Sequence, residues 1–210
     1  MVELLTAAAL LLVVLAAVYG IWFGLQRTYS FTEEDMKAQT EARAAMNEMV
    51  ELIRTAREPD FYTTPELDVV IVRAEPNLLV IWTDMDRDAQ HDLELVRFRV
   101  DTNPDARILY RDDSHSQTSD LTFSAGTSIR LVGSWVSNDA DSANWLFTYV
   151  GRGGAVLPLH VDEAGDSLHV ADPTQIREVH IRLMVDVIKG KLPEHHELVS
   201  VVQPRNLRTY

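Results

Sequence analysis

The chain contains no cysteine. An exported domain of this sequence therefore folds without disulfides, and a Cys-based zinc site or a thiol nucleophile is excluded. Positive charge is also scarce: 19 Lys and Arg against 32 Asp and Glu leave a formal net charge of −13. That balance argues against nucleic-acid binding through a basic surface. No Lys or Arg precedes Arg27, so the N-terminus lacks the basic flank of a secretory signal peptide. No internal repeat and no low-complexity segment stands out. What is present is the composition of a folded protein, 46% hydrophobic and 24% charged, in 210 residues. That length suffices for one ordinary domain and a long helix.

The helix comes first. Residues 4–25 hold Thr6, Tyr19 and two glycines but no charge. About 22 residues make roughly 33 Å of helix, enough to cross a hydrocarbon core of ~30 Å. A soluble helix is rarely apolar on every face for that long. Glu3 stands at the edge of this run, where an acid within a bilayer needs a partner. Tyr19, Trp22, Phe23 and Tyr29 surround Gln26, Arg27 and Thr28 and suit an aromatic belt at a water interface. From Thr32 the pattern turns amphipathic, with Ala42, Met46, Met49, Val50 and Ile53 at helical spacing. This stripe is expected to pack on the chain's own globular domain, and Glu58-Pro59 is expected to end the helix. The organisation read from the sequence is a membrane-spanning helix over 1–57 and a β-rich globular domain over 58–210.

Beyond Pro59, short apolar runs replace the helical spacing. Residues 67–73, 78–83, 93–100, 107–111, 129–136, 145–150, 179–187 and 198–202 read as strands. Glu75-Pro76-Asn77 and residues 151–154 read as turns, and 137–144 as a polar loop. The predicted class is α+β: a long N-terminal helix, transmembrane in its first half and amphipathic in its second, packed on a mostly antiparallel sheet.

Few side chains suggest chemistry. Asp84, Asp86, Asp88 and Asp92 are spaced like oxygen ligands of a calcium loop, but Ala89 and Leu95 stand where such a loop needs Gly and a bidentate Glu. A solvated turn between strands is the other reading of these acids. His195 and His196, flanked by Glu194 and Glu197, point opposite ways in extended chain and read as a solvated loop. Ser114-His115-Ser116 has nothing like a nucleophile elbow around it. Gly151-Arg152-Gly153-Gly154 lacks the Lys and helix start of a phosphate loop. Trp82, Trp135 and Trp145 read as core or sheet-face residues. No catalytic, cofactor or metal residue is assigned, and an enzyme is not expected.

Val2-Glu3-Leu4-Leu5 carries a family resemblance. Mature type IV pilins and pseudopilins begin Phe-Thr-Leu-Val-Glu-Leu-Leu after a short basic leader ending in Gly, and here Met1 stands where the family has Leu. The expectation is a start assigned too late, or a trimmed chain. The later chain is most similar to J-type minor pseudopilins and PilW-type minor pilins. The similar stretches are the helix end at 43–49 and 53–57, the Asp-rich turn 82–88 with 94–98 and 108–111, the strands 147–151 and 176–183, and Pro204-Arg205-Asn206-Leu207. The resemblance implies a single pass through the cytoplasmic (inner) membrane, with the C-terminal domain outside. It implies cleavage and methylation by a prepilin peptidase. It further implies entry into a filament, at an inner-membrane assembly platform, beside other minor and major pilin-like subunits. In the family, the acid at the position of Glu3 pairs with the N-terminal amine of a neighbour. The expected function is a minor pilin or pseudopilin that helps initiate or cap a type IV pilus-like or type II secretion filament. The alternative is a non-polymerising, single-pass, membrane-anchored binding domain outside the cytoplasm.

Overall fold

The structure, a computed structural model, describes residues 1–59, 69–85, 93–101, 103, 107–114, 123, 128–139, 144–161, 168–187 and 195–205. Helix α1 runs Val2–Thr55, and the chain divides into two compact units, 1–37 and 38–210. Within the second unit α1 buries Ala38, Ala42, Ala45, Met46, Met49, Leu52 and Ile53. These positions recur every three or four residues, so they line one face. Three alanines let the helix backbone come close to its neighbours, and the flexible Met46 and Met49 fill what remains. The expected stripe is thus buried in the chain's own core, with Val50 partly buried beside it.

The helix stops at Thr55, three residues before Glu58-Pro59. Its last carbonyls are taken by tertiary partners instead of a further turn. Thr83 Oγ1 donates to the Leu52 carbonyl at 3.3 Å, and the Arg205 amide donates to that of Arg54 at 3.2 Å. Such partners satisfy the groups that every helix end leaves open.

Five strands form the first sheet in the order β1-β2-β3-β4-β5, each pair antiparallel. They are β1 Ile71–Glu75, β2 Leu78–Thr83, β3 Glu94–Val100, β4 Leu109–Ser114 and β5 Ser128–Val132. The second sheet contains β6 Trp135–Val136, β7 Phe147–Gly151, β10 Ile176–Asp186 and β11 His196–Val202, with β10 in the middle. A separate hairpin joins β8 Leu159–Val161 to β9 Leu168–Val170. One core unites the α1 face with Leu79, Ile81, Val96, Phe98 and Leu109 of the first sheet and Phe147, Val179, Ile181 and Leu183 of the second. The fold is α+β, a long N-terminal helix packed on mostly antiparallel sheet.

Strand bounds differ from expectation at several places, and two of the differences trace to polar contacts. The run 129–136 is not one strand: β5 ends at Val132, and β6 begins at Trp135 in the other sheet. The Gly133 amide between them donates to Glu41 Oε2 of α1 at 2.8 Å, which fixes the crossing. β4 extends through Asp112 and Asp113 to Ser114, not back to Arg107: Arg97 and Arg99 of β3 neutralise Asp112, and Arg111 of β4 itself neutralises Asp113. The 151–154 turn is present, with Gly153 and Gly154 at φ 88° and 83°, values that L side chains seldom adopt.

The turn Pro76-Asn77 clamps the two sheets together. Phe147 N–H donates to the Pro76 carbonyl at 2.9 Å, Leu146 N–H to Asn77 Oδ1 at 3.1 Å, and the buried Tyr149 hydroxyl to the Glu75 carbonyl at 2.7 Å. Burial, and then the Glu75 charge, push the Tyr149 hydroxyl well above the usual tyrosine range. It stays a neutral donor. Across the middle of β10, between its pairings with β6 and β7, Asn138 stands in for a strand. Its Nδ2 donates to the Arg182 carbonyl at 2.6 Å and its Oδ1 accepts Met184 N–H at 2.9 Å.

Candidate functional site

The first unit, Met1–Lys37, is helix from Val2 onward, and up to Leu25 that helix is apolar and bare. Large apolar side chains from Val2 to Tyr29 are 54–77% exposed, from Leu15 to Leu4. Monomeric soluble proteins seldom expose contiguous apolar surface on this scale. This helix is long and apolar enough to cross a membrane, and none of its most apolar stretch is buried by the chain. Thr28 Oγ1 donates to the Gly24 carbonyl at 3.0 Å and Thr32 Oγ1 to that of Thr28 at 2.9 Å. These hydroxyls are therefore satisfied inside the helix where the apolar run ends.

Glu3 lies in the first turn of α1. An acid there meets the positive end of the helix dipole. Its carbonyl accepts Thr6 Oγ1 at 2.9 Å, and its carboxylate is exposed with no ion pair among the described residues.

The other sequence candidates are dispersed. Asp84 pairs with Arg57 at 3.7 Å, while Asp86, Asp88 and Asp92 lie outside the described residues. The loop reading of His195-His196 fails for the second histidine: His196 and Glu197 belong to β11, because β10 supplies their backbone partners at Val185 and Met184, and His195 stands just before the strand. Arg182 holds Glu197 at 2.7 and 3.2 Å. Ser114 is buried at the end of β4, and His115 and Ser116 lie outside the described residues. Trp82 is 1% exposed, packed with Val80 and Leu95. Among the described residues no group of three or more His, Asp or Glu gathers.

Two arrangements escape hydrophobic patterning. Under α1, Arg111 bridges Glu48 of the helix and Asp113, the latter at 2.9 and 3.2 Å. On the opposite face of the first sheet, buried Asp112 accepts from Arg97 Nε at 2.7 Å, Arg99 Nε at 2.8 Å and Ser128 Oγ. Burial alone raises its carboxyl, but the Ser128, Arg99 and Arg97 bonds outweigh it and hold the group below the ordinary carboxylate range. Arg97 and Arg99 also lie over the rings of Phe123 and Tyr110, at 4.1 and 4.7 Å. A third pattern was legible in the letters but has no hydrophobic period. Leu-His-Val occurs at 159–161 and again at 168–170, and antiparallel pairing sets His160 opposite His169.

Comparison of the chain with family models, with curated proteins and with solved structures finds no match to any of them.

Proposed function

We propose that the chain is a minor pilin or pseudopilin, anchored by α1 in the cytoplasmic membrane and assembled through it into a filament. The observation that supports this reading is the placement of Glu3. It sits in the first turn of a helix whose apolar surface the chain itself leaves bare, and that helix continues unbroken into the core of a β-rich domain. In a plain anchor the helix dipole offsets only part of the cost of such an acid, because a carboxylate entering lipid needs a partner. An assembly helix does gain. As apolar helices exchange lipid for helix contacts, a Glu3 carboxylate paired with a neighbour's N-terminal amine sets the axial register. The prepilin peptidase, the other pilin-like subunits and an inner-membrane assembly platform are the partners this reading requires, with the domain outside the cytoplasm.

The test is Glu3→Ala as the sole copy in the native host. The expected result is a folded domain, normal membrane insertion and loss of most filament assembly or of co-purification with other pilin-like chains. Unchanged assembly and unchanged co-purification would overturn the reading and leave the anchored, non-polymerising binding domain. N-terminal sequencing of the native protein adds an independent check, since processing yields a methylated residue upstream of Val2.

A further inference from the structure

The β8–β9 hairpin carries chemistry that the assembly reading does not use. His160 and His169 are register partners in its antiparallel ladder, flanked by the pairs Leu159 with Val170 and Val161 with Leu168. Directly opposed residues of such a ladder project from the same face with Cβ atoms about 4.5–5.5 Å apart. His160 is exposed and His169 half-buried, so both can be reached from solvent. Among the described residues neither imidazole has a hydrogen bond or ion pair that would occupy its nitrogens. The nearby cation is already engaged. Arg73, which shares with His169 a groove of about 380 Å³ between β1 and β9, donates to Glu75.

We propose that His160 and His169 form a two-imidazole site for a divalent first-row transition ion. Two nitrogens ~2.0–2.1 Å from one ion fit a cross-strand pair, and imidazole selects Zn²⁺, Ni²⁺ or Cu²⁺ over Mg²⁺ and Ca²⁺, which take oxygen. Water or an outside ligand completes the coordination. Copper binds most tightly in the series. Strands of three residues form a weak two-stranded ladder, so an ion bound across them staples the hairpin and stabilises the folded state. His195 and His196 are adjacent in the chain rather than opposed across a ladder, and neighbours in extended backbone face opposite ways.

The experiment uses the full chain in detergent micelles. Zn²⁺ is titrated by calorimetry, and the nitrogen coupling of bound Cu²⁺ is read by paramagnetic resonance. The wild type is compared with His160→Ala, His169→Gln and His195→Ala. The expected result is one saturable Zn²⁺ site and a two-nitrogen Cu²⁺ signal in the wild type and in His195→Ala. Removal of either hairpin histidine weakens Zn²⁺ binding about 100-fold, because the second contact is no longer intramolecular. Zn²⁺ should also raise the melting temperature of the wild type and not of His160→Ala. Absence of saturable Zn²⁺ binding up to millimolar concentration, or a His160→Ala titration matching the wild type, would overturn the proposal.

Discussion

Replacing Asp112 with Ala removes a carboxylate that is 1% exposed and holds two guanidinium groups and a hydroxyl. Breaking a buried ion pair from one side costs about 3–5 kcal/mol, because the partner stays buried and uncompensated. Arg97 and Arg99 keep 27% and 29% of their side-chain surface in water, and solvent recovers part of the loss. The low end, about 3 kcal/mol, is therefore expected. Asp112→Asn keeps an acceptor of the same shape but not the charge, and separates geometry from electrostatics. The pH dependence follows from the direction of the shift. The folded carboxyl titrates below its ordinary value, so its contribution is fully present above ~pH 4, the unfolded value. It is lost as pH falls through the lower folded value. Urea denaturation of the full chain in micelles, followed by tryptophan fluorescence from pH 7 to pH 2, measures both effects. The wild type should lose stability below about pH 4 more steeply than Asp112→Asn. A loss under about 1 kcal/mol in Asp112→Ala, or the same acid profile in Asp112→Asn, would refute the argument.

Asn138 is 1% exposed, and Asn138→Ala leaves the Met184 amide and the Arg182 carbonyl without their side-chain partner, while the Asn144 carbonyl keeps the Asp139 amide. A loss of about 2–3 kcal/mol is expected, with selectively faster hydrogen exchange at the Met184 amide. A fragment beginning at Ala38 should fold cooperatively by circular dichroism, whereas one beginning at Glu58 should not. The shorter fragment lacks Met46, Met49, Leu52 and Ile53 of the core. At ~1.5–3 kcal/mol each, their loss rivals the whole stability of an ordinary domain, ~5–15 kcal/mol.

Hydrophobic spacing made much of this fold legible. β2 falls on 78–83 as expected, β3 differs by one residue, and the alternation of Val179, Ile181, Leu183 and Val185 marks the buried face of β10. Most of the misses depend on contacts that hydrophobic spacing does not encode. The strand read at 107–111 stops short of Asp112 and Asp113 because Arg97, Arg99 and Arg111, which neutralise them, are invisible to periodicity. The run 129–136 reads as one strand because only Glu41, 92 positions earlier, pins Gly133 at the crossing. His196 and Glu197 read as loop because the order of β11 comes from β10. β8 and β9 span three residues each, below the length at which alternation carries information, so the repeated Leu-His-Val was in the letters but only the register sets its two histidines opposite each other. Glu3 is the opposite case. Its position in a bare apolar helix is local and was readable directly.

The two units of α1 meet opposite physical demands with one secondary structure. From Ala38 onward the helix presents Ala38, Ala42 and Ala45 where it must come close, Met46 and Met49 where volume is needed, and Glu48 where Arg111 waits. That face is spent within the chain and is unavailable to a neighbour. The residues from Val2 to Tyr29 have no such division: large apolar side chains point in every direction. A helix apolar all round has no solvent face to keep, so water is the one environment that does not suit it. Lipid accepts it, and so do other helices of the same kind, at nearly equal free energy, since lipid tails are as apolar as leucine. Transfer between the two is then decided by the few groups that are not apolar. In this segment the only ionisable group before Tyr19, apart from the terminal amine, is Glu3. Lipid gives that carboxylate nothing to pair with, and the N-terminal amine of an adjoining helix does, which is why the assembly proposal turns on this one residue.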